Sequence, residues 1–241
     1  MDIREWLKER EERRNSGGKG NDGLPEGVTR YVRLGSELKD GKKFALLANH
    51  NSWYYYFVHE DGDFATRTTF IKKHSCLRSP KEVGEDRKKY EYPDPESKVC
   101  LSCRAKARRV LYFMIPVYDF ELSTWRILDV KEFHALNLIE DYDKLEKAAK
   151  KFAKDYTLVG DVVLIQKTSD GKSYSLTSAE IDETKLEEAR KLVGTDEIKY
   201  AELANFRDEE DIRKILEEAD DSKVDKSVLG VAEPDDVDPK F

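Results

Sequence analysis

Short runs of β-forming residues dominate the first two thirds of the chain. VTRYVRL (28–34), KKFALLA (42–48), SWYYYFVH (52–59) and FATRTTFI (64–71) each have the length and residue types of a strand. EDGD (60–63) carries an Asp-Gly pair and predicts a turn between the last two. VLYFMIPVYDF (110–120) and WRILDVKEF (125–133) predict two more strands, and Pro116 places the first of them at an edge or a bulge. The period then changes. Leu138, Tyr142, Leu145, Ala149 and Phe152 recur at helical spacing and predict one apolar stripe. DVVLIQK (161–167) and KSYSLT (172–177), joined through Thr168-Ser169-Asp170-Gly171, predict a hairpin. Thr177 with Glu180 reads as a capping box for a helix at 181–193, and a second amphipathic helix fits 196–219.

This order of elements predicts a mainly β fold with appended helices, closer to a small barrel than to a doubly wound sheet. Alternating βαβα units and Gly-rich phosphate loops are missing from the pattern, which argues against Rossmann and P-loop folds. Residues 1–23 read as an N-terminal arm: a short helix with Ile3, Trp6 and Leu7 at helical spacing, then the flexible break NSGGKGNDG. The core is expected over 24–180, with a polar insertion at 72–109, a helical extension at 181–219 and a disordered acidic tail at 220–241. The charged start has no apolar h-region, so no secretory signal is expected, and no apolar run reaches the roughly 18 residues of a membrane span.

Charge sharpens the picture. Residues 64–112 hold 13 Lys/Arg against 6 Asp/Glu, whereas residues 208–241 hold 13 Asp/Glu against 5 Lys/Arg. A basic middle suits a polyanion. An acidic end suits competition with that polyanion, or a basic partner.

The most specific local signal is His74-Ser75-Cys76, then 23 residues, then Cys100-Leu101-Ser102-Cys103. Cys-x-x-Cys sets two thiolates on one tight turn, within reach of one metal. With Cys76 and His74 they make a closed three-Cys, one-His tetrahedral site for one structural Zn²⁺. His59 and His50 are alternatives to His74 as the fourth ligand. A redox pair would leave Cys76 without a role, and unrelated thiols are the plainer alternative.

SWYYYFVH places Trp53, Tyr55 and Phe57 on one face of a strand and Tyr54, Tyr56 and Val58 on the other. One face can fill a core, leaving the second as an aromatic surface. Aromatic rings interleaved with cations are what single-stranded nucleic acid requires, since bases stack and phosphates follow the charges. The expected stacking residues are Tyr31, Trp53, Tyr55, Tyr112 and Trp125. The expected phosphate contacts are Arg33, Arg67, Lys72, Lys73, Arg104, Arg108 and Arg109.

HSC…CLSC, followed by VLYFMIPVYDF and WRILDVKEFHALNLI, resembles the phage single-stranded DNA-binding proteins of the T-even helix-destabilising kind. The resemblance covers roughly 24–180. It implies a five-stranded OB-fold barrel with an inserted zinc subdomain. It also implies coating of single-stranded DNA during replication, recombination and repair, an acidic C-terminal tail for protein partners, and residence in the cytoplasm of an infected bacterial host. It further implies a monomer or a cooperative assembly on DNA. No nucleophile elbow and no HExxH occur in the sequence, so no enzyme activity is expected. The alternative reading is a zinc-ribbon transcription or recombination factor acting mainly through protein partners.

Overall fold

KKFAL at Lys42–Leu46 becomes a central strand, β1, because neither of its faces needs to stay polar beyond the first two lysines. The computed structural model describes residues 24–25, 27–60, 73–194, 198–219 and 224–230. Its other strands are β2 (Tyr54–Glu60), β3 (Lys73–Ser75), β4 (Arg109–Asp119), β5 (Thr124–Lys131), β6 (Val162–Lys167) and β7 (Tyr174–Ser178). The helices are α1 (Leu34–Glu37), α2 (Leu101–Arg104), α3 (Glu132–Ala149), α4 (Glu183–Arg190), α5 (Tyr200–Ala204) and α6 (Glu209–Glu218). The sheet runs β3-β2-β4-β1-β6-β7, with β5 beside β4. The registers recorded for its strand pairs are antiparallel. The mainly β class with added helices is therefore correct. Among the described residues the sheet is open, and no pairing closes it into the expected barrel.

The chain falls into two compact units. The first comprises Met1–Tyr55, Glu82–Gly84 and Tyr112–Leu203. Its packing follows the period of two in β1. Phe44 and Leu46 join a core with Leu128, Leu138 and Tyr142, while Ala45 and Leu47 join a second cluster with Leu186 and Ala189. One sheet face is thus covered by α3 and the other by α4, each large apolar side chain contributing about 1.5–3 kcal/mol on burial. The stripe Leu138–Tyr142–Leu145 does face the core, but α3 stops at Ala149 and Phe152 lies beyond it, 94% exposed.

Several local expectations are corrected. Residues 28–34 form no strand. Only a bridge survives there, with Val32 N–H donating to Ile127 O (2.9 Å) and Ile127 N–H to Arg30 O (2.8 Å), before α1 begins. Pro116 lies inside a strand flanked by β1 and β5, not at an edge. It is tolerated because the β1 ladder ends at Leu46↔Val117; Leu47 N–H still donates to Pro116 O (3.1 Å), and the missing proline N–H falls where β1 stops. β7 runs on to Ser178, so Thr177 cannot cap a helix, and Asp182 does so by accepting from Thr184 N–H. The expected helix over 196–219 is two helices. Asn205, at φ 50°, and the Asp208 cap of α6 separate them. The hairpin β6–β7 forms as expected, Gly171 N–H donating to Thr168 O across its turn.

A buried ionic cluster ties α1 to the sheet within this unit. Arg126, 1% exposed, donates to both Glu37 oxygens (2.5 and 3.0 Å), to Asp119 (3.0 Å), and to the carbonyls of Tyr31 (2.6 Å) and Thr29 (3.2 Å). Lys42 adds ion pairs to Asp119 (2.9 Å) and Glu121 (2.8 Å). Burial works against the Glu37 charge, but Arg126, the Arg33 amide and Lys42 outweigh it and hold its carboxyl down at about 2.

The second unit comprises Tyr56–Lys81, Glu85–Leu111 and Ala204–Phe241. Two stretches far apart in sequence build it. α6 packs Ile212, Ile215 and Leu216 on Leu101, Ala105 and Ala107, and Val224 joins the same cluster. A tail starting at 220 was expected to be disordered, yet Val224 is buried, Asp225 N–H donates to Ala105 O (2.8 Å), and Lys226–Leu229 forms a 3₁₀ turn. Glu209–Glu218 is helical, within the extension expected at 181–219, whereas beyond 220 the frequent acids concealed the burial of Val224. The arm expected at 1–23, the strand expected at 64–71 and the last part of the expected tail, 231–241, lie outside the described residues. Among the described residues no helix is long and apolar enough to cross a membrane.

Candidate functional site

Three elements of the second unit converge on one buried cluster. β2 brings His59, the residue after β3 brings Cys76, and α2 with its N-cap brings Cys103 and Cys100. Cys76 leaves the sheet with its N–H donating to Phe57 O (2.8 Å), which fixes its direction. The Cys76 sulfur lies 3.8 Å from that of Cys100 and 3.6 Å from that of Cys103. His59 Nε2 lies 3.5 Å from Cys100 Sγ and 3.6 Å from Cys103 Sγ. Sulfur and nitrogen ligands at about 2.3 and 2.0 Å from one tetrahedral centre stand about 3.5–3.8 Å apart. The four atoms therefore fit a single metal ion, and all four residues are buried.

The fourth member is His59, where the sequence reading gave His74. The two are cross-strand partners in the β2–β3 register, with ring centroids 5.4 Å apart. His74 Nε2 instead meets the Ser102 hydroxyl at 2.7 Å, bracing the ligand helix and the face of the His59 ring. His50, the other alternative, lies in the first unit and pairs with Asp143 at 3.1 Å.

Hydrogen bonding with Cys103 and Cys76 outweighs burial and holds the Cys100 thiol well below the ordinary range. Sharing with Cys100 and Cys103, with burial added, pushes Cys76 far up. Burial opposes charge on His59, yet the Cys100 and Cys103 sulfurs outweigh it and raise the ring to about 9. Burial, assisted by the neighbouring His59 charge, lowers His74 to about 3, so His74 is neutral. A metal bound by these four residues would displace their protons, so its affinity would depend on pH.

His59 also has a second contact. Its Nδ1 lies 3.2 Å from the carbonyl of Ala107, which can only accept, so Nδ1 carries a proton and Nε2 is the nitrogen that meets the sulfurs. Ala107 follows an unusual turn. α2 ends in a Schellman arrangement, Ala107 N–H donating to Ser102 O (3.0 Å) and Lys106 N–H to Cys103 O (3.1 Å). The left-handed position that normally takes glycine holds Lys106, at φ 56°. Such a conformation costs a side-chain-bearing residue about 1–2 kcal/mol.

Directly after this turn lies a groove of about 430 Å³. Phe57, Pro93 and Pro95 give it apolar walls, Glu91, Lys106 and Arg108 its charged edge, and Cys103 and Ala107 join it to the Cys/His cluster. The Arg109 guanidinium lies 3.5 Å over the Phe57 ring and donates to Tyr90 O (2.5 Å) and Arg78 O (3.0 Å). Tyr92, in the segment that supplies Glu91 and Pro93, is 71% exposed.

The residues expected to contact DNA are dispersed. Trp53 sits in the core of the first unit, its Nε1–H donating to Ala48 O (3.2 Å). Tyr55 and Tyr112 are buried as well. Both faces of β2 are covered, where one had been expected to remain an open aromatic surface. Tyr31 is half-buried, and its hydroxyl donates to Leu203 O. Trp125 is half-buried under the Arg30 guanidinium, 4.1 Å from its ring centroid. Arg33 is exposed and donates to Gly27 O (3.3 Å). Arg104 pairs with Glu209 at 3.4 Å, so α6 partly neutralises it. Lys73 and Arg108 are exposed, and among the described residues Arg108 has no ion pair. Arg67 and Lys72 lie outside the described residues. The sequence reading omitted Lys106, Tyr92, Pro93 and Pro95; their only signal was proximity to the Cys-x-x-Cys turn and a Tyr-Pro-x-Pro run inside a basic insertion. No protein family, curated protein or solved structure matches the chain.

Proposed function

We propose that this protein binds single-stranded DNA, using a zinc-stapled unit to present a basic groove. The observation that carries this reading is the groove beside the Cys/His cluster, whose apolar walls suit an unstacked base and whose Lys106 and Arg108 suit the phosphates flanking it. Duplex DNA hides its base faces and would gain only the charge contribution. Zinc is the ion of this reading, because three thiolates and one imidazole at tetrahedral spacing form a closed site that leaves no position for catalysis. The zinc would hold the 73–111 segment, whose own apolar content is small. The resemblance to phage single-stranded DNA-binding proteins, with their OB-type barrel and host-cytoplasmic role in replication, recombination and repair, belongs to the same proposal. So does recruitment of partner proteins by the acidic chain end. The stacking surface differs from the one read in the sequence: Phe57, the prolines and Tyr92 replace the buried Trp53, Tyr55 and Tyr112.

The test is fluorescence anisotropy with labelled oligo-dT over a salt series, competed by duplex DNA and by RNA. Affinity should fall linearly with log[salt] at a slope of about −0.7 per phosphate neutralised. Arg108→Ala should weaken binding and reduce that slope. Equal affinity for duplex and single strand would overturn the reading and favour a factor that works through protein partners.

A further inference from the structure

Arg108 and Ala107 border the groove, and their backbone follows a turn that Lys106 alone would not favour, since φ 56° suits glycine. Something outside the turn must hold it. Two contacts do so, one on either side of Lys106. The Ala105 carbonyl accepts from Asp225 N–H at 2.8 Å, and the Ala107 carbonyl faces His59 Nδ1 at 3.2 Å. The second contact comes from a side chain whose other nitrogen stands among the thiolates.

We infer that His59 is a positioning residue: one nitrogen joins the metal cluster, the other holds the Ala107 carbonyl, and the metal thereby sets the Lys106 turn and the groove wall beyond it. A metal bound at Nε2 leaves Nδ1 as the ring's only N–H and fixes the ring plane, so the donor points steadily at Ala107. Without the metal the ring is held only by hydrogen bonds to the sulfurs, which fix its plane less firmly than a coordinate bond. Cys100 and Cys103 fix only the helix before the turn; His59 fixes the residue after it. Metal occupancy then governs the groove through a route separable from the folding of α2. The nucleic-acid arm of the test rests on the function proposed above; the exchange arm does not.

The experiment replaces the ring rather than the metal. His59→Gly is loaded with Zn²⁺, which three thiolates still hold, and supplied with imidazole or with 1-methylimidazole. Both can ligate the metal, but only imidazole keeps a second N–H for Ala107. Amide hydrogen exchange is followed at Ala107–Arg109, with β6 as internal reference, together with zinc content and oligo-dT affinity. We expect exchange at Ala107–Arg109 to rise at least about tenfold in the zinc-loaded variant while β6 is unmoved, a tenfold change corresponding to about 1.4 kcal/mol in local opening. Imidazole should restore slow exchange and oligonucleotide affinity. 1-Methylimidazole should restore neither, although zinc is retained. Equal rescue by both ligands would overturn the inference. If neither ligand enters, unchanged exchange at Ala107–Arg109 in zinc-loaded His59→Gly would overturn it as well. A wild type that fails to bind oligo-dT but shows the exchange pattern would refute the proposed function and leave the positioning role standing.

Discussion

Replacing Arg126 by Met should be among the most damaging single changes outside the Cys/His cluster. The side chain is 1% exposed and supplies five hydrogen bonds, to Glu37 twice, to Asp119, and to the carbonyls of Tyr31 and Thr29. Breaking a buried ionic cluster by removing one partner costs about 3–5 kcal/mol, because the remaining charge stays desolvated. Two features favour the lower end. Asp119 keeps Lys42 at 2.9 Å, and Glu37 is 24% exposed, so water can reach it. Thr29 lines a cavity together with Arg126, Lys42 and Glu37, and water entering it would offset part of the loss. We therefore expect about 3 kcal/mol, a large share of a stability of about 5–15 kcal/mol. With a urea m-value of about 2 kcal/mol/M, the midpoint should fall by about 1.5 M. Urea melts followed by far-UV circular dichroism measure it. Arg126→Lys should recover less than half, since an ammonium cannot span both Glu37 oxygens and two carbonyls. A double-mutant cycle with Glu37→Met should show coupling of at least about 1 kcal/mol. A loss below about 1 kcal/mol for Arg126→Met would mean that the cluster is a solvated decoration and that α1 is held by its apolar contacts alone.

Acid should weaken the same cluster. The folded Glu37 carboxyl is held at about 2, below its ordinary 4.5, so its contribution is complete above about pH 4.5 and is lost as pH falls toward 2; ¹³C carboxyl titration and melts at graded pH should agree, and Arg126→Met should flatten that limb. Leu216→Ala, at a fully buried position of the second unit, should cost about 2–5 kcal/mol and speed metal release to a chelator, because α6 backs the ligand helix α2. Metal analysis should find one ion per chain. Chelation should expose three titratable thiols and loosen 73–111 while leaving the exchange protection of β1, β4 and β6 in place, and Cys76→Ser should abolish stoichiometric binding.

Periodicity alone determined a good deal of this chain. The β6–β7 hairpin, the β4 and β5 strands and the apolar stripe of α3 are local patterns, and local patterns survive into the fold because each element must bury its own apolar face. The three cysteines of the cluster were legible for a similar reason: Cys-x-x-Cys fixes its two sulfurs by covalent spacing, and Cys76 had no other role. The histidine was left open, His59 being one of two alternatives to His74. His59 and His74 are directly opposite in the β2–β3 register, so the strand pairing and the path of the chain beyond β3, not sequence distance, decide which ring meets the sulfurs. Sequence likewise showed that β2 is aromatic on both faces but not that both faces are covered, because burial is a property of what packs against a strand. The stretch 220–230 misled most. Its charge suits a solvated tail, yet Val224 joins Ile212, Ile215 and Leu216 of the expected helix on an apolar surface of α2 and its following turn, about a hundred residues earlier in the chain. A sequence records how much apolar surface a segment carries; only the tertiary structure supplies the second surface that makes burying it favourable.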